Sequence, residues 1–353
     1  MNNDIIGSSI EEWRNIEIKE NRKLFNELLD TYNKEIKEIE KCGGEIAIEK
    51  QHSKGKMTAR ERIKYLIDDD TTFNEIGKFA AYGMYEEYGK INAAGVLVGT
   101  GNIQNKKCVI IQARTDSRRL PGKVLLKIEG KPMLWHVINR IKKINVKEII
   151  VATTGRKIDD DIVTIANNFG LKSYRGKTSD VLDRFYCAAK ESNAEIIIRI
   201  TADCPLIDPN ESKKVLKKFI SGKYDYASND SETYPNGLDT ECFTFKALED
   251  AWKGAKLKSE REHVTPYIWK NPKKFKICLV DNKKKDKLNN LKWSVDDKDD
   301  FDFVKKIYSK LYNKKNNFSM NDVLNLLKKE PELKKINSNF IKNEGYIHSL
   351  RND

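Results

Sequence analysis

The sequence lacks the features that mark membrane proteins, secreted proteins and proteins built around structural metals. Its longest apolar runs, such as residues 108–111 (CVII), are far shorter than the roughly 20 residues needed to span a membrane. The six cysteines include no CxxC pair, which argues against a zinc site or a disulfide framework. The first residues show no basic region followed by an apolar stretch, so we expect no secretory signal. We therefore predict a cytoplasmic protein with no membrane partner.

Two common nucleotide-binding motifs are absent as well. The chain has no GxxxxGK[ST] motif, which excludes a P-loop NTPase. No GxGxxG motif follows a predicted strand, which disfavours a dinucleotide dehydrogenase. What the chain does have is 353 residues with 39% hydrophobic content, enough for about two domains with buried cores.

The net charge of +13 is unevenly distributed along the chain. Residues 1–106 contain 16 basic and 19 acidic residues, whereas residues 107–353 contain 50 basic and 34 acidic residues. Such a change in net charge along the chain indicates two units of different composition. The lysines of the second unit are dispersed, with few aromatic residues between them to stack on bases. We therefore favour a solvated surface with some steering of anions over a nucleic-acid partner.

The first hundred residues predict a small, mainly helical unit. Apolar residues recur at helical spacing over 10–41, which predicts a long amphipathic helix. A second helix should begin near Thr58, because Thr58 and Glu61 have the spacing of a capping box. Residues 94–101 (AGVLVGTG) are β-like.

From residue 107 apolar strands alternate with amphipathic helices, which predicts an α/β unit with a mostly parallel sheet flanked by helices. The predicted strands are 107–113, 148–153, 171–174, 195–201, 224–228, 240–245, 275–280 and 291–295. The predicted helices are 133–144, 159–169, 179–192, 210–221, 245–255, 260–269, 299–311 and 320–328.

The segment after the first of these strands carries the strongest chemical signal. Four cationic side chains follow the strand, at the edge of the sheet where α/β proteins bind ligands; they are Arg114, Arg118, Arg119 and Lys123. Arginine binds phosphate oxygens in pairs, and the Pro121-Gly122 turn lets backbone amides approach an anion. We therefore interpret residues 112–123 as a phosphate loop, the alternative being an ordinary basic surface loop.

Two aspartates follow other strands that should end at the same edge of the sheet. Asp203 comes just after strand 195–201, and Asp296 comes just after strand 291–295. Two carboxylates beside a triphosphate are what a Mg²⁺ site needs, because Mg²⁺ prefers a few hard oxygen ligands together with phosphate. Taken singly, each aspartate could equally be a helix N-cap.

Six motifs in order resemble the cytidylyltransferases that activate acidic sugars, closest to the spore-coat polysaccharide biosynthesis branch. The motifs are QARTDSRRLPGKVL (112–125), RGKTSDVLDR (175–184), RITADCPL (199–206), YPNGLDTE (234–241), SEREHVTP (259–266) and WSVDD (293–297). Relatives of this branch are CMP-Kdo synthetase and acylneuraminate cytidylyltransferase. These relatives usually carry Pro where this chain has Gln112, and Gly where it has Ala202. Both departures match the spore-coat branch, whose acceptor is the least specified part of the resemblance.

The resemblance implies a Rossmann-like nucleotide-diphospho-sugar transferase fold and a defined reaction. A sugar-acid hydroxyl would attack the α-phosphorus of CTP, giving a CMP-sugar and pyrophosphate for cell-surface or spore-coat polysaccharide. The implied cofactor is Mg²⁺, with Asp203 and Asp296 as its ligands and Asp297 as an alternative. The implied catalytic residues are Lys123 and Arg114. The implied nucleotide-binding residues are Gln112, Ala113, Arg118, Arg119, Gly122, Thr153, Thr154, Arg175, Ser179 and Asp180.

Several side chains keep two interpretations. Asp180 and Asp183 either contact the nucleotide or belong to the first turn of a helix. The candidate acceptor-binding residues are Asn236, Gly237, Asp239, Arg261 and His263. Arg261 suits a carboxylate, whereas His263 either binds a hydroxyl or packs within its helix. We interpret His136 as structural and Cys204 as a packing residue.

The first unit resembles a different family. Residues 44–63 (GEIAIEKQHSKGKMTARERI) and 95–111 are similar to the start of the carboxyltransferase β subunit of acyl-CoA carboxylases. The glycine-rich loops that would hold a thioester and biotin do not follow, so we predict no carboxylase activity.

These observations predict three segments. They are a carboxyltransferase-like appendage (1–106), a cytidylyltransferase domain (107–330) and a C-terminal tail (331–353). The appendage is a candidate homodimer contact or a fusion without a role. The alternative function for the whole chain is a non-catalytic scaffold derived from a carboxyltransferase subunit.

Overall fold

The computed structural model describes residues 16–67, 72–84, 87, 95–101, 106–144, 146–282, 287–313 and 316–353. Parts of three sequence predictions lie outside the described residues. They are the start of the first helix (10–15), the first residue of the β-like stretch (94) and part of the carboxyltransferase-like segment (102–105).

The chain divides into two compact units, Met1–Gln104 and Asn105–Asp353. The described elements of the first unit are α1 (Ile16–Glu40), α2 (Glu45–His52), α3 (Ala59–Leu66), β1 (Asn74–Ile76) and β2 (Val98–Thr100). The predicted capping box is confirmed, because the Glu61 amide donates to the Thr58 hydroxyl and the Glu61 carboxylate accepts from the Thr58 amide. Among the described helices, none is both long and apolar enough to cross a bilayer.

The second unit contains the predicted alternation of strands and helices. Its described strands are β3 (Lys107–Gln112), β4 (Lys127–Ile128), β5 (Lys131–Pro132), β6 (Glu148–Thr154), β7 (Lys172–Gly176), β8 (Ile196–Thr201), β9 (Tyr226–Ser228), β10 (Glu241–Thr244) and β11 (Ile277–Leu279). Seven of the eight predicted strands are present, with ends shifted by at most two residues. The short pair β4–β5 was not predicted.

The helices of the second unit lie between these strands or follow β11. They are α4 (Met133–Ile141), α5 (Asp160–Asn168), α6 (Val181–Glu191), α7 (Pro209–Gly222), α8 (Phe245–Gly254), α9 (Lys258–His263), α10 (Pro266–Trp269), α11 (Lys298–Leu311), α12 (Met320–Lys329) and α13 (Glu344–Leu350). The predicted tail therefore contains a helix, α13, and also a 3₁₀ turn, Pro331–Lys335.

Among the described residues the main sheet has seven strands in the order β11-β9-β10-β8-β3-β6-β7. Six strands run parallel, and β10 runs antiparallel to both of its neighbours. This confirms the predicted α/β class with a mostly parallel sheet. The interior strand β3 has the middle strand, β8, on one side and β6 on the other, so its carboxyl end opens between two other strand ends.

Alternate residues of the central strands pack against helices on opposite faces of the sheet. Val109 and Ile111 belong to one buried cluster, which includes residues of α4, α7 and α11. Cys108 and Ile110 belong to the other, which includes residues of α6 and α8. Because helices cover both faces of the sheet, the side chains on both faces of these strands are buried. The central strands are therefore almost continuously apolar and do not alternate apolar with polar residues.

Two predicted elements are wrong. Residues 291–295 do not form a strand, because their backbone bonds to two different segments. The Trp293 amide donates to the Asn236 carbonyl (2.7 Å), and the Val295 amide donates to the Asp203 carbonyl (2.8 Å). The predicted helix 260–269 is two helices, α9 and α10, because Val264 between them has a φ of 72°.

Candidate active site

The loop that follows β3 is held in place by one buried carboxylate. Asp159 is fully buried and accepts from the amide (2.9 Å) and the hydroxyl (2.7 Å) of Thr115, and from the hydroxyl of Thr154. Burial raises the pKa of Asp159, but the Thr154 and Thr115 hydrogen bonds outweigh it and hold the pKa below its usual value. The Gly122 amide donates to the Thr115 carbonyl (2.7 Å), which closes the loop.

Lys123 lies at the centre of the site, between the two predicted metal ligands. Its ammonium donates to Asp203 Oδ2 (3.0 Å), to Asp296 Oδ1 (3.2 Å) and to the Val295 carbonyl (2.6 Å). Gly122 has a φ of 69° and precedes the 3₁₀ turn that starts at Lys123 and turns it inward. Burial alone would lower the pKa of Lys123, but the charges of Asp203 and Asp296 raise it above its usual value. Lys123 is therefore a fixed cation.

The backbone bond between Val295 and Asp203 brings the two aspartates together. Because residues 291–295 cross from the Asn236 turn to the Asp203 loop, Asp296 reaches the end of β8 without belonging to a strand. Asp297, the alternative ligand, caps α11 by accepting from the Asp300 amide (3.0 Å).

Asp296 is surrounded by positive charge. Its Oδ2 lies 3.2 Å from Arg119 and 3.2 Å from the buried ammonium of Lys292, in addition to the Lys123 contact of its other oxygen. Burial raises its pKa, but Lys123, Lys292 and Arg119 together hold the pKa below the usual value. Lys292 also bonds the buried Asp300 (2.6 Å), which fixes its position. Asp296 therefore stays ionised across the physiological range.

The donor set fits a Mg²⁺ ion. Asp203 and Asp296 each keep more than a quarter of the side chain exposed and already share one cation, Lys123. Two hard carboxylate oxygens facing a phosphate loop are the kind of protein ligands that Mg²⁺ takes, the rest being water and phosphate. No group of three or more carboxylate, imidazole or thiol side chains assembles for a metal within the described parts of the chain. These two aspartates would hold the metal together with the nucleotide.

The arginines of the phosphate loop differ in their partners. Arg114 lies 3.3 Å from Asp116 and 3.4 Å from Glu262, and about a third of its side chain is exposed. Arg118 is exposed and has no hydrogen bond or ion pair to another described residue. Arg119 bonds Asp296 and Glu344. Of the three, Arg118 is thus free to meet an anion without giving up a partner among these residues.

Gln112 and Ala113 lie at the end of β3, as predicted for nucleotide-binding residues. Gln112 Oε1 accepts from Arg199 on β8 (3.0 and 3.1 Å), and Arg199 also pairs with Glu241 on β10. The buried Ala113 donates its amide to the Ala152 carbonyl (3.1 Å). The Gln112 amide group is therefore oriented by a charged pair that the sequence did not reveal.

The predicted nucleotide-binding residues of the next two strands form a second group at this edge. The Thr154 carbonyl accepts from Arg175 Nε (3.0 Å), and Arg175 also pairs with Asp160 (2.7 Å). Thr153 is fully buried, and its hydroxyl finds no partner among the described residues. Ser179 is exposed.

Asp180 and Arg261, predicted for different substrates, bind each other. Arg261 Nη2 lies 2.5 Å from Asp180 Oδ2, and its Nη1 donates to the Trp252 carbonyl (2.8 Å). Asp180 also caps α6 by accepting from the Asp183 amide (2.9 Å). Asp180 therefore caps a helix, which is one of its two interpretations from the sequence. Arg261 already has a carboxylate partner.

His263 is partly buried and bonds a hydroxyl of α13. Its Nε2 lies 2.9 Å from the Ser349 hydroxyl, which also donates to Glu262 (3.0 Å). Burial and the neighbouring Arg199 lower the pKa of His263 to about 4. It is therefore neutral at pH 7.

Asn236, Gly237 and Asp239 form a tight turn beside residues 293–294. Gly237 has a φ of 102°, and a Cβ there would lie 2.3 Å from the Ser294 amide nitrogen. The Gly237 amide donates to Asp239 Oδ2 (2.9 Å), and Asn236 Oδ1 accepts from Ser294 (2.5 Å). Burial and the nearby Asp230 raise the pKa of Asp239 to about 7.

Sequence reasoning missed the residues that hold these groups in place. Asp159, Lys292 and the Arg199–Glu241 pair are all buried or nearly so, and each bonds a predicted site residue. Asp159 could have been found from its position after predicted strand 148–153, the same kind of position that marks Asp203. Lys292 could not, because it lies inside the segment predicted as strand 291–295.

Two family models match the chain. The one described as Cytidylyltransferase covers residues 108–339, and the one described as Carboxyl transferase domain covers residues 50–126. The first range includes every predicted site residue. The two ranges overlap through β3 and the phosphate loop.

Individual proteins are similar over about two thirds of the chain. Uncharacterized protein MJ1063 of Methanocaldococcus jannaschii is 41% identical over 233 residues, covering 65% of this chain and 93% of that protein. Spore coat polysaccharide biosynthesis protein SpsF of Bacillus subtilis is 28% identical over 63% of this chain and 94% of its own length. The structure of a cytidylyltransferase from Leptospira borgpetersenii superimposes with a TM-score of 0.63 at 32% identity, covering 67% of this chain and all of that one.

Proposed function

Because the chain belongs to the cytidylyltransferase family, we propose that it transfers CMP from CTP to an acidic sugar and releases pyrophosphate. One observation carries the proposal. The buried ammonium of Lys123 lies between Asp203 and Asp296, beside an arginine-rich loop at the carboxyl end of β3. That arrangement provides fixed charge where a triphosphate would lie, which is the main requirement of phosphoryl-type transfer.

In the proposed reaction an acceptor hydroxyl oxygen forms a bond to the α-phosphorus of CTP. The bond from that phosphorus to the bridging oxygen breaks, pyrophosphate leaves, and the hydroxyl proton passes to solvent. No protein nucleophile is needed. Lys123 and Arg114 would stabilise charge on the phosphates, and Arg118 and Arg119 would bind the outer phosphates.

Mg²⁺ is part of the proposal. Asp203 and Asp296 would hold it, and the bound ion would neutralise phosphate charge and polarise the α-phosphate. The pKa of Asp296, held low by Lys123, Lys292 and Arg119, favours this because the ligand is already deprotonated.

The acceptor is proposed to be a sugar acid used for cell-surface or spore-coat polysaccharide. The similarity to SpsF, whose name refers to spore coat polysaccharide biosynthesis, supports the sugar and its use. The turn at Asn236, Gly237 and Asp239 and the α9 residues Arg261 and His263 are proposed to form its binding side. Because Arg261 is paired with Asp180, the carboxylate of the sugar would have to share Arg261 with Asp180 or displace Asp180 from it.

Nucleotide choice is the first test. Thermal shift with CTP, ATP, GTP and UTP, each with Mg²⁺, should show the largest stabilisation for CTP, since a ligand that binds the folded state alone raises Tm. Pyrophosphate release is then measured with CTP, Mg²⁺ and a panel of sugar acids that includes Kdo and N-acetylneuraminate.

A variant pair makes the test specific. Asp203→Asn should reduce pyrophosphate release by at least about 100-fold, because it removes a charge that faces the reacting phosphates. Asp302→Asn on the exposed face of α11 should leave the rate unchanged, because Asp302 has no partner among the described residues. Absence of any CTP stabilisation and of any release across the panel would refute the proposal.

A further inference from the structure

The last fourteen residues, 340–353, extend beyond the matched family range, which ends at residue 339. We call them the C-terminal strap. They include α13 and run across the same side of the second unit as the candidate active site. Three of their polar side chains bond residues of that site or of α9, as follows.

The strap contacts the phosphate loop through Glu344. The Glu344 carboxylate bonds the guanidinium of Arg119, whose other partner is Asp296. Arg119 is one of the cations that would bind the triphosphate in the proposed function. A carboxylate therefore takes the place at Arg119 that a phosphate oxygen would take.

The strap also contacts the acceptor side. The Ser349 hydroxyl lies 2.9 Å from His263 Nε2 and donates to Glu262 (3.0 Å). The Asp353 carboxylate accepts from the amide (2.7 Å) and hydroxyl (2.5 Å) of Ser259 at the start of α9. Both ends of α9 are thus tied to the strap.

The strap is held mainly by Tyr346, whose ring packs against His263 and Trp269 (centroids 5.2 and 5.6 Å apart), and by the Lys342–Asp230 pair (2.8 Å). Its aliphatic side chains contribute little. Ile341 is 64% exposed, and Ile347 and Leu350 are about 40% exposed. Glu344 and Arg119 are themselves 49% and 41% exposed. Exposed ion pairs contribute little to stability, so the Glu344–Arg119 contact can be exchanged for a stronger anion at small cost.

From these contacts we propose that the C-terminal strap is an autoinhibitory element that competes with the triphosphate for Arg119. Nucleotide binding releases Glu344, and with it α13, from the phosphate loop. The inference rests on the proposed function, because it requires Arg119 to bind a phosphate. By linkage, whatever weakens the Glu344 contact must strengthen nucleotide binding, and nucleotide must loosen the strap to the same degree.

The binding test compares two glutamate variants of the full chain. CTP with Mg²⁺ is titrated calorimetrically into the wild type, Glu344→Gln and Glu332→Gln. Glu344→Gln should lower the Kd for CTP about two- to fivefold, the range of an exposed ion pair. Glu332, exposed and without a partner among the described residues, is the matched control, and its variant should keep the wild-type Kd.

Hydrogen exchange gives an independent measurement on the wild type. Adding saturating CTP and Mg²⁺ should speed amide exchange within α13, whereas the buried strand β3 should show no such increase. Equal Kd values for the wild type and Glu344→Gln, or slower exchange in α13 with nucleotide, would overturn the inference. Failure of the proposed function looks different, because then none of the three proteins binds CTP.

Discussion

The position of Lys123 between two aspartates shows how one residue serves both folding and the candidate chemistry. Its ammonium satisfies Asp203, Asp296 and the Val295 carbonyl, so three backbone segments meet at one cation. Removing one partner of a buried ion pair leaves uncompensated charge, which costs more than the pair itself contributes. Lys123 is therefore expected to matter for stability as well as for turnover.

The first prediction concerns Lys123→Met. We expect pyrophosphate release from CTP to fall about 100- to 1,000-fold and the free energy of unfolding to fall by about 2–4 kcal/mol. The control Lys127→Met, at an exposed lysine with no partner among the described residues, should change neither. Urea denaturation and a pyrophosphate assay measure the two effects. A stable and active Lys123→Met protein would contradict the central role of this cation.

The same variant tests the metal proposal. With the ammonium gone, Asp203 and Asp296 repel each other, and a divalent cation can take its place between them. Mg²⁺ without nucleotide should therefore raise the Tm of Lys123→Met more than that of the wild type. Equal Mg²⁺ responses of the two proteins would count against these aspartates as the metal ligands.

Asp239 gives a pH-dependent prediction. Its pKa is raised to about 7 by burial and by Asp230, so the folded chain holds this proton up to about pH 7. The unfolded chain releases it near pH 4. The stabilisation from this raised pKa is therefore complete below about pH 4 and is lost as the pH rises through 7.

Asp239→Asn removes that dependence. Between pH 5 and pH 8 the free energy of unfolding of the variant should rise relative to that of the wild type by about 1–3 kcal/mol. The amide can still accept from Gly237, so the turn is kept. Thermal unfolding of the wild type, Asp239→Asn and Asp302→Asn at both pH values provides the measurement. A constant difference between wild type and Asp239→Asn would show that Asp239 titrates normally.

At the scale of elements, the phosphate loop depends on the start of α5. Asp159 lies in the 3₁₀ turn before α5 and holds Thr115 of the loop and Thr154 of β6. The phosphate loop is thus attached to the neighbouring strand β6 as well as to β3, the strand that it follows. Its shape should be lost when that attachment is removed, even though Asp159 belongs to no predicted site.

Asp159→Ala tests this attachment. It leaves buried hydroxyl and amide donors without an acceptor, so we expect about 2–4 kcal/mol less stability. CTP affinity should fall as well, by about tenfold, because a misplaced loop loses its alignment with the phosphates. Asp161→Ala, two residues along and exposed without a partner among the described residues, is the matched control. Unchanged CTP affinity in Asp159→Ala would show that the loop holds its own shape.

Elements with local signals could be predicted from the sequence, and elements set by distant contacts could not. Strand β3 and the loop after it follow from an apolar run and a cationic turn. Residues 291–295 alternate apolar and polar side chains as a strand does, yet their hydrogen bonds go to Asn236 and Asp203, about 60 and 90 residues away in the chain. The prediction for Asp296 rested on that wrong strand but selected a residue that the structure does bring beside Asp203.

The limits of the site prediction have a similar origin. Cations near the phosphate loop were found because they are adjacent in sequence. Their partners, such as Glu344 for Arg119 and Asp180 for Arg261, lie on other elements, and only the fold brings them together. Charge alone therefore indicated an anion site but not which of its arginines is free.

At the scale of the whole molecule, two resemblances meet at one strand. The two matched ranges share residues 108–126, which include β3 and the phosphate loop. In the second unit β3 is an interior strand of the sheet, and it pairs with β6 and β8 of the same unit. The strand therefore belongs structurally to the cytidylyltransferase sheet, although the carboxyl transferase match continues through it to residue 126.

That division predicts the outcome of a deletion. A chain that starts at Asn105 keeps the whole sheet, both buried clusters of the second unit and every predicted site residue. It should show the same CTP-dependent rise in Tm and the same pyrophosphate release as the full chain. If the first unit supplies the proposed homodimer contact, light scattering should show a dimer for the full chain and a monomer for the deletion. A deletion protein that folds but no longer responds to CTP would instead show that nucleotide binding requires residues 1–104. The first unit would then be part of the enzyme and not merely a fused appendage.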